Sequence, residues 1–465
     1  MRRGLRSRSW GRWRATLVGV VGVVGVVSVA TMGAMGATSA DAGDVSRTVS
    51  GTTGAGISGC AILRLSASCD LRGLAAVGPV PQATSPAGEL EGVYCTSSAN
   101  CWAVGFRDTS NDAKVNEALH WTGGRWFEVA VPSAGGTKRG DISELYAVRC
   151  TSAANCWAVG FYDTSTSEFP EALHWNGKKW GMVATPGPSG IGNDQVSYLT
   201  DVGCTSAASC WAVGSHARSL TYVDSGNLML RWNGKKWSQV TVPNPAGTGK
   251  HQVNGLDAIR CGSPADCWAG GYAGSYSNNA FSITNEMLRW NGKKWSNTTV
   301  PHPGGTGPGS YTGVSGLSCT GPDNCWAVGI QGRLGSSSTY LNEALHWNGE
   351  KWSHVATPEP DGKTMGANNE LIGVNCASPQ FCWAVGYNAG ISHGLLNEVL
   401  RWTGAKWTVA FAPDPAGIQS TEANDLFGVR CVSAADCWAV GYAQPTSAPE
   451  AGEILHWNGH QWLVS

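Results

Sequence analysis

The sequence predicts an all-β chain, folded as a seven-bladed β-propeller of four-stranded antiparallel blades. Three observations predict it. A unit marked by paired cysteines and three tryptophans recurs seven times over residues 90 to 465, each unit holds four short strand-like segments, and one segment alone varies in length. Composition agrees: 63 glycines among 465 residues and only 14% charged residues suit many short strands joined by turns. The formal net charge of -1 gives no pull toward nucleic acid or an anionic membrane.

Ahead of the repeat, Arg2, Arg3, Arg6, Arg8, Arg12 and Arg14 precede an uncharged apolar run from Ala15 to about Ala37, which is export-signal anatomy. Ala40-Asp41-Ala42 supplies a small-x-small cleavage pattern, so residues 1 to 42 are expected to be removed and the protein secreted. The alternative is a retained membrane anchor, because the run approaches the roughly 20 residues that span a bilayer. Residues 43 to 89 form an N-terminal segment, expected to be partly disordered. Within it, residues 74 to 81 are a candidate ring-closing strand, since the last unit stops at Ser465, three residues past Trp462, where other units continue for six to a proline.

The second unit illustrates the strands. Leu145 to Cys150 reads as strand one, Thr151 to Asn155 as a turn, and Cys156-Trp157-Ala158-Val159-Gly160 as the start of strand two. Strand three is Glu171 to Trp175; Asn176-Gly177 is expected as a two-residue turn with positive φ at both positions; strand four runs from Lys179 to Pro186. A sheet this small cannot cover both faces alone, and repetition around a ring lets neighbours cover one another. An open solenoid is the weaker alternative, because strand solenoids use shorter coils.

The sixteen cysteines are Cys60, Cys69 and the pairs Cys95/Cys101, Cys150/Cys156, Cys204/Cys210, Cys261/Cys267, Cys319/Cys325, Cys376/Cys382 and Cys431/Cys437. No CxxC occurs and no histidine stands at ligand spacing, so metal binding and redox exchange give way to one hairpin disulfide per unit, pinning the blade near one rim. Each would remove on the order of 2 kcal/mol of unfolded-chain entropy. Cys60 and Cys69 are expected to make an eighth bridge, with a reactive thiol pair as the alternative, and neither metal nor cofactor is expected.

Each second cysteine precedes a marker tryptophan, Trp102, Trp157, Trp211, Trp268, Trp326, Trp383 or Trp438, at spacings of 54 to 58 residues. Two further tryptophans follow in every unit, as at Trp121 and Trp126. Recurrence at fixed strand positions points to packing between blades rather than to sugar stacking, with each buried indole N–H expected to find a partner. By the same reasoning the strand-three glutamates Glu117, Glu171, Glu286, Glu343, Glu398 and Glu453, replaced by Leu228 in the third unit, read as scaffold, with a channel-lining ring as the alternative.

From marker tryptophan to strand-three tryptophan the gaps are 19, 18, 21, 22, 21, 19 and 19 residues, so insertions fall between strands two and three. In a meander those loops share one end with the inter-blade connections, opposite the disulfide turns. The variable end is therefore the expected working face. Residues there that break the repeat are the candidate contacts: Phe106, Arg107, Tyr162, Arg218, Tyr222, Tyr276, Phe281, Arg333, Tyr340 and His393. Arg149, Arg260 and Arg430 share one repeat position and read as scaffold. Lys178-Lys179, Lys235-Lys236 and Lys293-Lys294 flank three successive turns at the disulfide end and read as solvated, with a patch for anionic wall polymer as the alternative.

Trp-Asn-Gly-Lys-Lys-Trp-Ser at Trp232 to Ser238 resembles the Asp-box hairpin of sialidase-like propellers, although the Ser and Asp of that box are missing. The tryptophan-rich period also resembles kelch and galactose-oxidase propellers, and secreted actinobacterial propellers with Cys-Trp-Ala-Val-Gly repeats are similar. The resemblance implies fold and export, with no activity attached. The functional expectation is a non-catalytic extracellular protein, monomeric, whose variable loops meet a glycan, a cell-wall polymer or another protein. The competing reading is a sialidase-like glycoside hydrolase or polysaccharide lyase, for which no carboxylate pair stands out. Galactose-oxidase-like copper chemistry needs a Tyr-Cys crosslink and is rejected, since all cysteines are committed.

Overall fold

The computed structural model describes residues 88 to 465 apart from 165–166, 188–195, 219–223, 278–279, 335–337 and 391–392. The expected signal segment, Cys60, Cys69 and the candidate closing strand at 74 to 81 lie outside the described residues. Within them the chain forms 28 β-strands and no helix. Consecutive strands group in fours, each four pairing antiparallel in sequence order, so seven four-stranded units follow one another. In unit two the strands are Ile142–Ser152, Asn155–Asp163, Glu168–Trp175 and Trp180–Met182. The first unit starts at Gly88, two residues earlier than the repeat pattern places it.

The units close on themselves. First strands of neighbouring units contact one another all the way round, that of unit seven (Ala423–Ser433) reaching that of unit one (Gly88–Ser97). They are therefore the innermost strands. A single parallel contact, such as Lys114 with Ile142, links the third strand of a unit to the first strand of the next; it is absent between units three and four, which divides the strands into sheets of 12 and 16. At the seven–one seam the Gly88 N–H donates to the Glu450 carbonyl at 3.2 Å.

Each letter of Cys-Trp-Ala-Val-Gly has a structural reason. The seven cysteine pairs of the repeat are bonded as expected: Cys95–Cys101, Cys150–Cys156, Cys204–Cys210, Cys261–Cys267, Cys319–Cys325, Cys376–Cys382 and Cys431–Cys437. Each bridge joins directly opposed residues of strands one and two. Their placement adds a second role to the expected staple near one rim. The second cysteines Cys101, Cys156, Cys210, Cys267, Cys325, Cys382 and Cys437 are at most 1% exposed, and every one joins an apolar cluster between units. Strand alternation is the reason. Cys156 packs with Trp102 of the preceding unit, whereas the adjacent Trp157 packs with residues of the following one, so each bridge also serves as core.

Ala158 and Val159 are fully buried. The glycine sits where the first strand shifts register: a Cβ on Gly160 would lie 1.9 Å from the Glu144 carbonyl oxygen, and Gly105 and Gly214 meet the same obstruction.

The tryptophans hold the seams. Trp157 of unit two meets Trp232 and Trp237 of unit three at 4.7 and 5.0 Å between ring centroids, the second edge-on at 80°. The same trio recurs at every seam and ends with Trp438 of unit seven against Trp121 and Trp126 of unit one. Seven apolar clusters accordingly straddle seams rather than fill single units. The expectation of a partner for every indole N–H is also corrected. The strand-three indoles do hydrogen-bond, each donating to a carbonyl of its own disulfide turn, as Trp175 to Ala153 at 3.1 Å. Marker indoles such as Trp157 and strand-four indoles such as Trp180 have no acceptor for Nε1, because edge-to-face packing already surrounds them with carbon.

Two other expectations change. Asn176-Gly177 is part of a four-residue loop, since Trp175 pairs with Trp180; only Gly177 has positive φ, at 88°, while Asn176 Oδ1 accepts the N–H groups of Lys178 and Lys179 at 3.0 Å. Strand four pairs for three residues and then turns away toward its proline. In unit seven it spans Trp462–Val464, the same length as elsewhere, so that unit draws all four strands from its own residues.

Where the prolines lead is a second seam device. Asn116 donates through Nδ2 to the Pro132 carbonyl at 2.9 Å and to Glu171 of the next unit at 2.8 Å. Asn227, Asn285, Asn342 and Asn397 clip Glu286, Glu343, Glu398 and Glu453 in the same way. The glutamates thus lie in seams between third strands and do not ring the axis. Pro170 takes the asparagine position ahead of Leu228, so both halves of that clip are replaced together. At the seven–one seam Gly452 holds the asparagine position, and Glu117 is left buried with both oxygens unpartnered. Burial, then the charge of Glu128, pushes the Glu117 carboxyl up to about 7 against the pull of Arg107. Burial pushes Glu171 up to about 7 as well.

Three results are expected. Trp157→Ala opens a seam and lowers unfolding free energy by about 3–5 kcal/mol in a denaturant titration. Gly452→Asn supplies the missing donor and raises stability by about 1 kcal/mol. Folded carboxyls at about 7 against an ordinary 4.5 mean that the folded chain binds more protons across that interval. Their contribution is therefore full below 4.5 and is lost as pH rises through about 7; thermal midpoints should fall over that interval, and less so in Glu117→Gln.

Candidate functional site

The strand-three indole bonds and the contact of each turn glycine with the disulfide turn, such as Gly177 against Ala154, place both kinds of turn at one end. The two-to-three loops lie at the other. Of the residues singled out there, Phe106 is wholly buried beneath the Lys114 ammonium, 4.1 Å from its ring. Tyr340 is buried edge-on to Tyr311 at 5.9 Å. These two are interior because the strands extend further than the sequence pattern indicates. Arg107 pairs with Glu128 at 3.5 Å, Arg333 donates to the Pro308 carbonyl at 3.0 Å, and Arg218 is exposed. His393 contacts Asp361 at 3.3 Å. Tyr162 stacks on Phe169. Tyr222 lies outside the described residues. Only Tyr276 and Phe281 meet each other, with centroids 4.7 Å apart.

That pair sits at the tip of the longest hairpin, formed in unit four by Asp266–Ser277 and Ala280–Trp290. The adjoining chain holds His251 in a left-handed conformation, φ 65°, its N–H bonded to Asp224 and its carbonyl to the Tyr276 N–H at 2.7 Å. Beside this hairpin opens a cleft of about 450 Å³ whose walls include Gln252, Thr284, Asn297, Thr298 and His302. Unit one has a smaller counterpart of about 350 Å³, in which Arg107 and Glu128 take the corresponding wall positions. In unit four those positions are Ala273 and Asn297.

His302 is the residue that sequence reasoning missed. It follows the strand-four proline, where Ser133, Asn244, Glu359 and Asp414 stand in other units. Each of those accepts the main-chain N–H of its strand-three asparagine, at 3.0, 2.8, 2.9 and 2.8 Å. In unit four Thr312 Oγ1 takes that N–H at 3.0 Å. His302 is thereby released from scaffold duty: its Nδ1 is buried without a partner, and burial pushes its pKa down, which keeps the ring neutral, with one donor and one acceptor. The signal was the one aromatic base at a position otherwise held by small or acidic acceptors.

A neutral imidazole, amides and hydroxyls around a half-open cleft can exchange hydrogen bonds with a polar, uncharged ligand, while a half-buried aromatic pair offers a flat apolar edge. Glu89, Glu144, Glu370 and Asp425 share one first-strand position and are each at most 3% exposed. Burial before all else holds the carboxyls of Glu89, Glu144 and Asp425 above their ordinary range. Among the described residues no group of three or more metal-ligating side chains occurs.

No family model matches the chain, and no curated protein matches it. Among solved structures it is similar to the GH74 xyloglucanase of Xanthomonas campestris, with 12% identity, a TM-score of 0.45 and coverage of 81% of this chain and 54% of that one; the chain therefore spans about half of that enzyme's length. It is also similar to the β-propeller domain of the Trilobed protease of Pyrococcus furiosus, with 8% identity, a TM-score of 0.44 and coverage of 81% and 97%. A third likeness is to an α-L-arabinofuranosidase of Fusarium graminearum, with 12% identity, a TM-score of 0.40 and coverage of 65% and 88%.

Proposed function

We propose that the ring is a seven-bladed β-propeller acting outside the cytoplasm as a non-catalytic binding module for an uncharged, hydroxyl-rich polymer such as a glycan or cell-wall polysaccharide. Its principal contact is the unit-four cleft. The observation that carries this reading is His302, set free from the clip that its counterparts complete and left with an unpartnered nitrogen in a polar cleft. Seven disulfides on 28 short strands suit an oxidising compartment, where thiols of this kind pair and stay paired. The aromatic pair Tyr276 and Phe281 supplies a surface against which a pyranose ring packs, and the neutral state of His302 favours hydroxyl ligands over ionic ones.

The test is a glycan and wall-polymer binding screen with the purified protein, followed by titration of the best ligand. His302→Ala and Tyr276→Ala are each expected to weaken binding roughly tenfold, the loss of one or two hydrogen bonds or one stacking contact, with unchanged thermal midpoints. Equal affinity in both variants would move the contact elsewhere. Turnover of a chromogenic glycoside that Glu144→Gln abolishes would replace this reading with a hydrolase.

A further inference from the structure

The opposite end of the ring carries a second charged constellation. The residue preceding each first cysteine lies at the disulfide end of an innermost strand, beside the axis. In units five and six it is Ser318 and Asn375, which accept the N–H groups of Cys376 and Cys431 at 3.0 and 2.9 Å. These are scaffold bonds. Units two, four and seven place Arg149, Arg260 and Arg430 there, and unit one places Tyr94.

The arginines do not repeat the scaffold bond; they converge. The Tyr94 ring is flanked by the guanidinium groups of Arg430 at 4.3 Å and Arg149 at 4.6 Å, and Arg430 Nη2 donates to the Tyr94 hydroxyl at 3.4 Å. Arg260 pairs with Asp201 of the neighbouring unit at 2.5 Å, yet its charge acts on Tyr94, Arg149 and Arg430. Burial pushes Arg149 down to about 10, with Arg260 and Arg430 adding to the fall and Tyr94 opposing it. Burial also pushes the Tyr94 hydroxyl up, and the three arginines outweigh it, so its pKa lies below the ordinary 10. Nε of Arg260 and of Arg430 is buried without an acceptor. Among the described residues Asp201 is the one carboxylate that acts on this group, pairing with Arg260 and reaching Arg149 by its charge. Gathering like charges in partial burial is unfavourable unless an anion completes the site, and the guanidinium fork matches tetrahedral oxyanions.

We propose that the disulfide-side mouth of the axis is a binding site for a phosphate-type oxyanion, free or carried on a polymer, held by Arg149 and Arg430 with Arg260 and Tyr94 completing the ring of donors. This site is separate from the unit-four cleft and stands whether or not that cleft binds a glycan. The two sources differ in reach: a polymer carrying the phosphate extends outward over the disulfide end, toward the exposed lysine-bearing turns at Lys178 and Lys235.

The test titrates inorganic phosphate, sulfate, acetate and a poly(glycerol phosphate) into the full chain by calorimetry. Phosphate and sulfate are expected to bind, acetate roughly tenfold more weakly, and Arg149→Gln or Arg430→Gln to lose roughly tenfold, whereas Lys235→Gln leaves inorganic phosphate binding unchanged. Tighter binding of the polymer than of phosphate assigns the pendant source, and equal binding assigns the free ion. A second readout needs no arginine variant: ultraviolet titration of the Tyr94 phenol, assigned by difference from Tyr94→Phe, should move to higher pH when phosphate binds. Absence of both heat and phenol shift, or undiminished binding in the Arg149→Gln/Arg430→Gln double variant, overturns the site.

Discussion

The structure depends on the indole trio at each seam. A marker tryptophan belongs to one unit, and the two tryptophans that cover it belong to the next. No unit can therefore finish its own core. The edge-to-face geometry leaves indoles such as Trp157 and Trp180 without hydrogen-bond acceptors, so the seam relies on buried area and shape. Closure follows as a requirement, because a chain ending after any unit would leave one marker indole bare and one covering pair idle. Trp438 against Trp121 and Trp126 meets that requirement between the two ends of the ring.

Around this apolar system the polar devices are local and divided between the two ends. At one end, disulfides, turn glycines and strand-three indole bonds lock a nearly invariant surface. Toward the other, the asparagine–glutamate clips tie each unit to its successor through the strand-four proline. The exceptions differ from seam to seam. Pro170 and Leu228 abandon a clip together, which leaves no stranded carboxyl; Gly452 and Glu117 do not match, and that carboxyl is stranded. His302 keeps its place in the chain but hands its bond to Thr312, and it lines the unit-four cleft instead.

The cysteine spacing, the thrice-repeated tryptophan and the confined length variation made the units, their disulfides and the two unlike ends legible in the sequence, since all three are properties of residue order. What was not legible depends on direction in space. Phe106 and Tyr340 break the repeat yet point inward, because an alternating strand continues past the point where the repeat stops matching. Spacing paired Cys150 with Cys156 but could not say that the second sulfur lies inside a seam. Asn176 was misassigned to a positive φ because its side chain, not its backbone, closes the turn. Equal repeat position made Arg149, Arg260 and Arg430 look structural, when in a ring the same innermost position in different units is also the same place around the axis.

The seven–one seam differs from the other seams in kind. Its partners are not consecutive in the chain, its clip is broken at Gly452, and among the described residues one main-chain bond, from Gly88, accompanies the side-chain packing there. The described ring thus has a clasp, where its first and last units meet. Because Tyr94 and Arg430 stand on either side of that clasp, the anion site proposed above spans the first and last units, and its occupancy is coupled to their meeting.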